Sequence, residues 1–506
     1  MKGKMLAYLL VLALLVTMVS GCGGTGTTAK TQPDKPVKDL IVLAINADMG
    51  SLDPLHTSTI VDNMIFKNIY DSLVNNDKSG GFVPSLAENW TVADDGVSYT
   101  FKLKKGVKFQ NGEEFKASDV VFTVNAAMKS PYLASIMDPI KDAAALDDYT
   151  VKFNLKYAYS PFLLVLTRIY MLNEKAVTGA GNNYGQNPVG TGAYKFVKHD
   201  SGQRVVLERY DGYFNGPAPI KNVEFKVITD SNTTQIALES GEIDFAFGVP
   251  AISIQGIKAN KALATHEFDA IHLTFVILNN TVKPFDNKLV RQAINYAIDK
   301  DALIQIVLEG MGKNAQSILN KLTFGYSENI KGYEYNPEKA KELLAQAGYP
   351  NGFKISFKTM DGPLKKGAEV IQENLSKIGV TTSIEMCEQN AFNKDMMSGN
   401  YEMGNMGITL IQDADSWDLV LKTKGGYNWE RYSNPKVDEL FSQGKKLTDK
   451  NERLAKYEKL VQIVNDDAPL VPLFHKMGIY FSRKDLKVGY IDASGYLKVA
   501  EMSWEK

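Results

Sequence analysis

The order of apolar and polar residues predicts a protein in which short strands and amphipathic helices alternate. Leu40-Ile41-Val42-Leu43-Ala44-Ile45 is an unbroken apolar run of strand length, typical of a buried strand. From Asn63 to Val74 the spacing is helical, with Ile65, Ile69 and Leu73 on one stripe and Phe66 and Tyr70 beside it. The period drops to two where Tyr99, Phe101 and Leu103 alternate with Thr100, Lys102 and Lys104, giving a strand with one buried face. Asp94-Asp95-Gly96 turns the chain before it and Lys105-Gly106 after it. Val107 and Phe109 begin a second short strand, closed by Asn111-Gly112. Ser118 or Asp119 then caps a helix with Val120, Val121, Val124 and Met128 on one face.

The same alternation continues downstream. Tyr149 to Leu155 reads as a strand, Pro161 to Leu166 opens an apolar helix, and Gly179 to Gly192 reads as loop. Val205 to Tyr210 and Val223 to Ile228 are strands, and Thr233 to Glu239 is helical. Leu273 to Leu278 is a strand preceding a helix capped by Asp286, whose buried stripe is Leu289, Val290, Ala293, Ile294, Ala297 and Ile298. Arg291 lies inside that helix and is expected in a structural ion pair. Asn336-Pro337-Glu338 starts a helix that Gly348 stops. Glu369 to Ile378 is a helix and Thr381 to Met386 a strand.

A chain of 506 residues exceeds what one core supports, so two or three lobes are expected. The first residues bear on location. Lys2 and Lys4 precede an apolar run from Met5 to Val19, too short to span a bilayer comfortably but suited to a signal peptide. It ends in Val19-Ser20-Gly21-Cys22, which looks like a bacterial lipobox, so cleavage would leave Cys22 for lipid attachment. Two or more acyl chains would anchor the protein stably. Gly23 to Lys38 reads as a flexible tether. With Cys22 lipidated, Cys387 remains alone, without a disulfide partner, and is expected as a small buried hydrophobe. Net charge of −1, or about −3 without the leader lysines, favours neither sign, and no basic block points to nucleic acid.

The stretch Pro84 to Val124, with "P-S-L-A-E-N-W" followed by "D-D-G-V-S-Y-T-F-K-L-K-K-G-V-K-F", resembles family 5 of the bacterial extracellular solute-binding proteins, the peptide and nickel receptors of ABC importers. Further matches follow in order. They are Ser51-Leu52-Asp53-Pro54, Pro188 to Tyr194 (with Ala193 where the family has proline), Gly241-Glu242-Ile243-Asp244, Lys283 to Ile304, and Ala468 to Phe474. The resemblance implies an α/β fold of periplasmic-binding-protein type II, three-lobed (cluster C), with mixed sheets, flanking helices and an interlobe ligand cleft. After signal peptide 1–21 and tether 22–38, lobe I would comprise 39–70, 189–274 and 479–506. Lobe II would be 71–188 and lobe III 275–478, with ligand between lobes I and III. The implied protein is a monomeric, lipid-anchored extracytoplasmic receptor, on the outer face in Gram-positive bacteria and the periplasmic side otherwise. It would close on short peptides and deliver them to permease subunits. Alternatives are a receptor for a nickel or other metal chelate or small polar solute, and a ligand-sensing or adhesive lipoprotein without an importer.

Catalytic chemistry finds no support in the sequence. The histidines at 56, 199, 266, 272 and 475 show no H-E-x-x-H or other metal-like spacing, and there is no G-x-S-x-G elbow. The glycines of Gly190-Thr191-Gly192 lack the spacing and lysine of a phosphate loop, and are expected to permit a tight chain crossover. No cofactor is implied.

Dipeptide-binding relatives hold the peptide amine with a carboxylate in an element like "G-W-T-G-D-N-G-D-P-D". If Asp413-Ala414-Asp415 matches "D-P-D", Leu410 occupies the anchoring position. Nickel-binding relatives carry a His after their "D-P", where this chain has Asp415. Lys365 or Lys366 is the candidate partner for a ligand carboxylate, and His56 could meet a ligand although a surface or capping role is favoured. The candidate ligand-binding residues are Asp48 and Met49, Arg168 and Tyr170, Thr409, Asp413 and Asp415, and Trp417 or Trp429. Arg168 stands out because a guanidinium in an apolar run must find an anion.

Overall fold

The computed structural model describes residues 38–57, 59–77 and 81–505. The expected signal peptide, the Cys22 lipid site and the tether up to residue 37 lie outside the described residues.

Apolar strands assemble into one long mixed sheet of eleven strands among the described residues. In order across the sheet run Thr381–Met386, Lys354–Thr359, Met403–Thr409, Leu263–Leu278, Leu470–Arg483, Phe245–Ala246, Leu40–Ile45, Asn222–Val227, Arg204–Arg209 and Tyr194–Asp200. The short strand Gly312–Asn314 also pairs with Leu470–Arg483. Two strands are far longer than the rest, Leu263–Leu278 with 16 residues and Leu470–Arg483 with 14. They pair antiparallel along their length, with register shifts between Asp269 and Leu273 and between Thr274 and Phe275. Before the first shift the sheet belongs to a first body; beyond it the same strands belong to a second.

Each body has its own core. In the first, Ile41, Leu43, Val223 and Phe225 pack against Ile65, Phe66 and Ile69 of the helix Ile60–Ile69. In the second, the period of two along Leu263–Leu278 divides the side chains. Val276 and Leu278 face a core with Ile294 and Phe357, whereas Leu273, Phe275 and Ile277 face one with Trp417, Tyr457 and Leu460. A separate four-stranded sheet, Ala87–Val92, Ser98–Leu103, Thr150–Leu155 and Ile140–Asp147, forms a smaller body with Phe101, Phe153 and Phe162 at its centre. Burying a ring such as Phe101, fully hidden here, contributes roughly 1.5–3 kcal/mol.

Several expected elements shift. The first helix spans Ile60–Ile69 rather than residues 63 to 74, because Thr59 caps it and Tyr70 leaves in extended conformation. Gly192 donates to the Ile69 carbonyl at 2.9 Å, and Met171 to that of Asp71 at 2.9 Å, drawing the chain into a crossing. A Cβ on Gly190 would lie 2.0 Å from the Ile69 oxygen, so glycine is required for this approach, as the crossover reading anticipated. The strand expected at Val107 reduces to a single bridge between Lys108 and Glu114. Neither Ser118 nor Asp119 is the N-cap of helix Ala117–Ala127; Asp119 sits in its first turn and accepts from the Lys116 amide at 2.9 Å. Residues 174–186, expected in part as loop, form a helix and a 3₁₀ turn. The helix expected from Glu369 starts at Pro363.

Asn287, not Asp286, caps the helix Lys288–Ala297, accepting from the Leu289 amide at 2.9 Å. Arg291 is structural, though its partners are backbone: it donates to the carbonyls of Asp467 at 2.8 Å and Phe285 at 2.9 Å. Cys387 is half-buried rather than buried, since it follows the last residue of an edge strand.

Glu430 is fully buried, and neither carboxyl oxygen meets a donor from another residue. Burial pushes its pKa up to about 8, so the folded protein holds a proton there that the unfolded chain releases near its ordinary value of 4.5. Stability should therefore fall as pH rises between about 5 and 8, by at most about 1.4 kcal/mol per pH unit from this group. Glu430→Gln should flatten that slope in denaturant titrations at stepped pH and leave stability near pH 5 almost unchanged. An identical slope in the variant would show that Glu430 is ionised in the fold.

Candidate functional site

Strand directions place the site. Leu470–Arg483 runs from the second body into the first, and Phe245–Ala246 runs against it, pairing Phe245 with Ser482 and Ala246 with Phe481. Leu40–Ile45 is parallel to Phe245–Ala246, and Asn222–Val227 is parallel to Leu40–Ile45. The carboxyl ends of these three strands, at Ala246, Ile45 and Val227, thus point toward the second body. On the other side, Met403–Thr409 is antiparallel to Leu263–Leu278 with Thr409 opposite His272, so Thr409 points toward the first body. Lys354–Thr359 and Thr381–Met386 run the same way. Two sets of strand carboxyl ends therefore face each other across the junction, the position at which open α/β sheets bind ligands.

On the first body's edge lies a cavity of about 320 Å³, lined by Asn46, Ile60, Met64, Thr229, Phe247 and Val249 among others. None of its lining residues is charged. From the second body come Thr409, whose hydroxyl pairs with His272 Nδ1 at 2.9 Å, and Gln412, whose Oε1 accepts from Asn76 of the smaller body at 3.1 Å. Burial, with the nearby Lys476 and His475, lowers the His272 pKa to about 4, so its ring is neutral at physiological pH. Lys476 is exposed, and its ammonium has no bonded partner among the described residues.

The expected site residues separate into two groups. Asp48, Tyr170, Asp413, Asp415, Trp417 and Trp429 are engaged in holding the fold. Asp48 accepts from the Gly202 amide at 2.7 Å and pairs with His199 Nε2 at 2.8 Å. Partial burial opposes its charge, but the Gly202 amide and the His199 ring hold its carboxyl below the usual range. Tyr170 is in the first body's core, its ring 5.7 Å from that of Phe66. Asp413 is buried in a two-point pair with Arg453, at 2.7 and 2.8 Å. Asp415, also buried, accepts from the Tyr457 hydroxyl at 3.1 Å. Burial first, then the neighbouring Asp418, pushes its pKa up to about 7. Trp417 and Trp429 flank Phe275 in the core, at 6.3 and 6.4 Å between ring centres.

The second group stays accessible. Arg168 is exposed, and its guanidinium makes no hydrogen bond or ion pair with the described residues. Enough protein surrounds it that desolvation, partly offset by Tyr496 and Asp492, holds the guanidinium below its usual value. Exposure combined with desolvation describes a side chain on the wall of a recess. That recess adjoins the junction, because Ala493, next to Asp492, accepts from the Ile271 amide at 3.3 Å, within the long strand Leu263–Leu278. Thr409 is exposed at the facing edge, and Met49 is half-buried against the first body's core. Lys365 and Lys366 are exposed on the first turn of helix Pro363–Ser376. His56 is exposed and paired with Asp53 at 2.7 Å, a turn contact. Leu410, at the anchoring position, is half-buried against the second body's core.

The sequence reading missed the cavity, Gln412, His272 and Lys476. Asn46 was within reach, since it directly follows the carboxyl end of a strand. Among the described residues, no group of three or more His, Cys, Asp and Glu is placed to hold a metal ion. No helix among them is long and apolar enough to cross a membrane.

Comparison with known proteins agrees with this geometry. The model for bacterial extracellular solute-binding proteins, family 5 (middle), matches residues 81–430. The chain is 30% identical over 454 residues to heme-binding protein A of Haemophilus influenzae, covering 82% of this chain and 83% of that protein. It is 30% identical over 472 residues to glutathione-binding protein GsiB of Pectobacterium atrosepticum, covering 89% and 91%. Among solved structures, the ABC transporter-associated periplasmic binding protein DppA of Helicobacter pylori, in complex with the peptide STSA, matches with a TM-score of 0.77 at 31% identity. That match covers 93% of this chain and 99% of the other. The fold is that of the type II periplasmic binding proteins. With more than half its length matched, the chain belongs to family 5 of the bacterial extracellular solute-binding proteins, which are binding receptors and not enzymes.

Proposed function

We propose that this protein is the lipid-anchored substrate-binding receptor of an ABC importer, capturing short peptides by lobe closure and passing them to membrane permease subunits. The observation that carries the reading is the pair of facing strand edges joined through only two long strands. In this reading lobe I is 39–70, 189–274 and 479–506, lobe II is 71–188, and lobe III is 275–478. Lobe III rotates about the register shifts near Asp269 and Thr274. Ligand bound to both edges favours the closed form through its differential affinity. The lipobox-like Val19-Ser20-Gly21-Cys22 supports the anchor, and the body works as a monomer on the extracytoplasmic side.

Two of the relatives support a peptide cargo, one a glutathione-binding protein and one that holds the peptide STSA, whereas a third is named for heme. Glutathione is itself a short peptide with two carboxylates, and the unpaired Arg168 suits such a group. Of the residues expected near a peptide amine, Leu410 is apolar, Asp413 is taken by Arg453, and Asp415 is buried on Tyr457.

Closure brings lobe II onto lobe III as well. The Ser160 amide donates to the Lys445 carbonyl at 2.9 Å, and its hydroxyl donates to that of Leu447. Asn76 reaches Gln412 at 3.1 Å. Burial, then the carboxylates of Asp415, Asp413 and Asp418, drives the Tyr159 hydroxyl far above its usual pKa at the same interface. These contacts form a clasp between lobe II and lobe III.

Native mass spectrometry of the purified protein should find peptide cargo, and a peptide at about a hundred times its Kd should add roughly 2.7 kcal/mol of stability. Chemical turnover of the cargo, or scattering curves that no peptide changes, would sink the reading. Arg168→Ala should weaken a peptide with a free terminal carboxylate by about 10- to 100-fold, the loss of a charged hydrogen bond. The same peptide amidated at that end should bind both proteins alike; equal affinity for the acid would remove Arg168 from the site. Replacing Asn76 and Ser160 together by Ala should lower peptide affinity by about 5- to 100-fold, at about 0.5–1.5 kcal/mol per bond lost. Small-angle scattering should show more open form, with thermal stability unchanged. Unaltered affinity and scattering would mean that these contacts persist on opening.

A further inference from the structure

The cavity on the first body's edge has a chemistry of its own. It joins the carboxyl ends of Leu40–Ile45 and Asn222–Val227 to the start of helix Ile60–Ile69 and to the segment after Phe245–Ala246. At about 320 Å³ it lies at the lower end of the ~300–1,000 Å³ typical of small-molecule sites and is large enough for an aromatic side chain. Its apolar walls include Ile60, Met64, Phe247 and Val249, and the polar residues among them, Asn46, Thr229, Ser231 and Thr234, are neutral. An ammonium or carboxylate placed there would lose its water and gain no counter-charge.

Apolar surface also continues out of the cavity. Ile60, in its lining, is 63% exposed, and Ile252, three residues after Val249, is 86% exposed. Both belong to segments at the edge that faces the second body. Large aliphatic side chains left in water at a ligand-facing edge are explained by an apolar group that covers them on binding. The Arg168 recess draws on residues of the smaller body and the carboxyl-terminal segment, none of which lines this cavity.

Resting on the reading of the protein as a peptide receptor, we infer that this cavity is a side-chain subsite that accepts an uncharged, apolar residue of the bound peptide. Receptor and cargo then divide the work. The Arg168 recess takes a carboxylate, the strand edges take the peptide backbone, and this subsite sets which side chain is preferred. The peptide's charged side chains are left to the solvent side of the cleft.

Gly248 provides a clean test. It lines the cavity, a Cβ there would meet nothing within 4 Å, and its backbone is not in the left-handed region. Gly248→Phe therefore fills the space without pressing on the fold. The probes are tetra-alanine and four tetrapeptides in which one Phe takes each position in turn, titrated calorimetrically into the full protein. Wild type should bind at least one Phe peptide about 10-fold or more tighter than tetra-alanine. Gly248→Phe should lose that preference, binding none of the Phe peptides tighter than tetra-alanine. Replacing the same Phe by Asp or Lys should remove the preference in wild type. If Gly248→Phe and wild type rank all five peptides identically, the subsite assignment is overturned while the peptide reading stands. If wild type binds none of the five, the peptide reading falls and the subsite with it.

Discussion

Two strands that refuse to end at a lobe boundary constrain everything else in this molecule. Leu263–Leu278 and Leu470–Arg483 each supply rungs to two halves of one sheet, so the halves share a backbone ladder rather than a side-chain interface. A ladder resists shear and stretch but yields to twist where its rungs are interrupted, as between Asp269 and Leu273. The remaining cores lie on one side or the other, with partly buried Met311 packing across onto the one around Ala246 and Phe481. Val276 and Phe275 pack within the second body, and Phe245 and Tyr480 within the first. Under the proposed closure, relative motion of the two halves would disturb few buried contacts, keeping the free energy between open and closed forms within reach of a small ligand.

Much of the charge near the cleft is spent on rigidity. Asp413 is locked to Arg453, whose guanidinium also lies over the rings of Phe324, at 4.5 Å, and Tyr457, at 4.9 Å. Asp71 lies buried opposite Lys498 at 3.1 Å. Truncating either partner of such a pair leaves the other charge buried and uncompensated, typically a loss of 3–5 kcal/mol. The loop from Leu410 to Trp417 is held through Asp413 on Arg453 and Asp415 on Tyr457. In the proposed reading these carboxylates are already engaged and recognition falls to other groups.

Local pattern was enough for most strands and helices. Tyr99-Thr100-Phe101-Lys102-Leu103 alternates as it folds, and Asn336-Pro337-Glu338 begins a helix as its chemistry demands. Asp286 and Asn287 are equally good caps on paper, and only the geometry of the chain before the helix decides for Asn287. The long strands escaped notice because His266, Asp269, His272 and Lys476 interrupt their apolar period where the ladder crosses between bodies and water is near. Site residues were harder still. Asp413 and Arg453 are 40 positions apart, and nothing local distinguishes a carboxylate awaiting a cargo from one already paired. Arg168 stands out in the sequence because its neighbours are apolar, whereas the carboxylate that acts on it, Asp492, lies far along the chain. The cavity draws on five separate segments between Ala44 and Tyr480, so no window of sequence contains it.

The point where the described chain begins bears on the proposed attachment. Lys38 is fastened at the amino-terminal edge of Leu40–Ile45, paired with Asp244 and lying 4.2 Å from the centre of the Trp504 ring. That edge is the one turned away from the second body. In the reading proposed above, an attachment through Cys22 would pull on this far edge and leave the two facing strand edges clear of it.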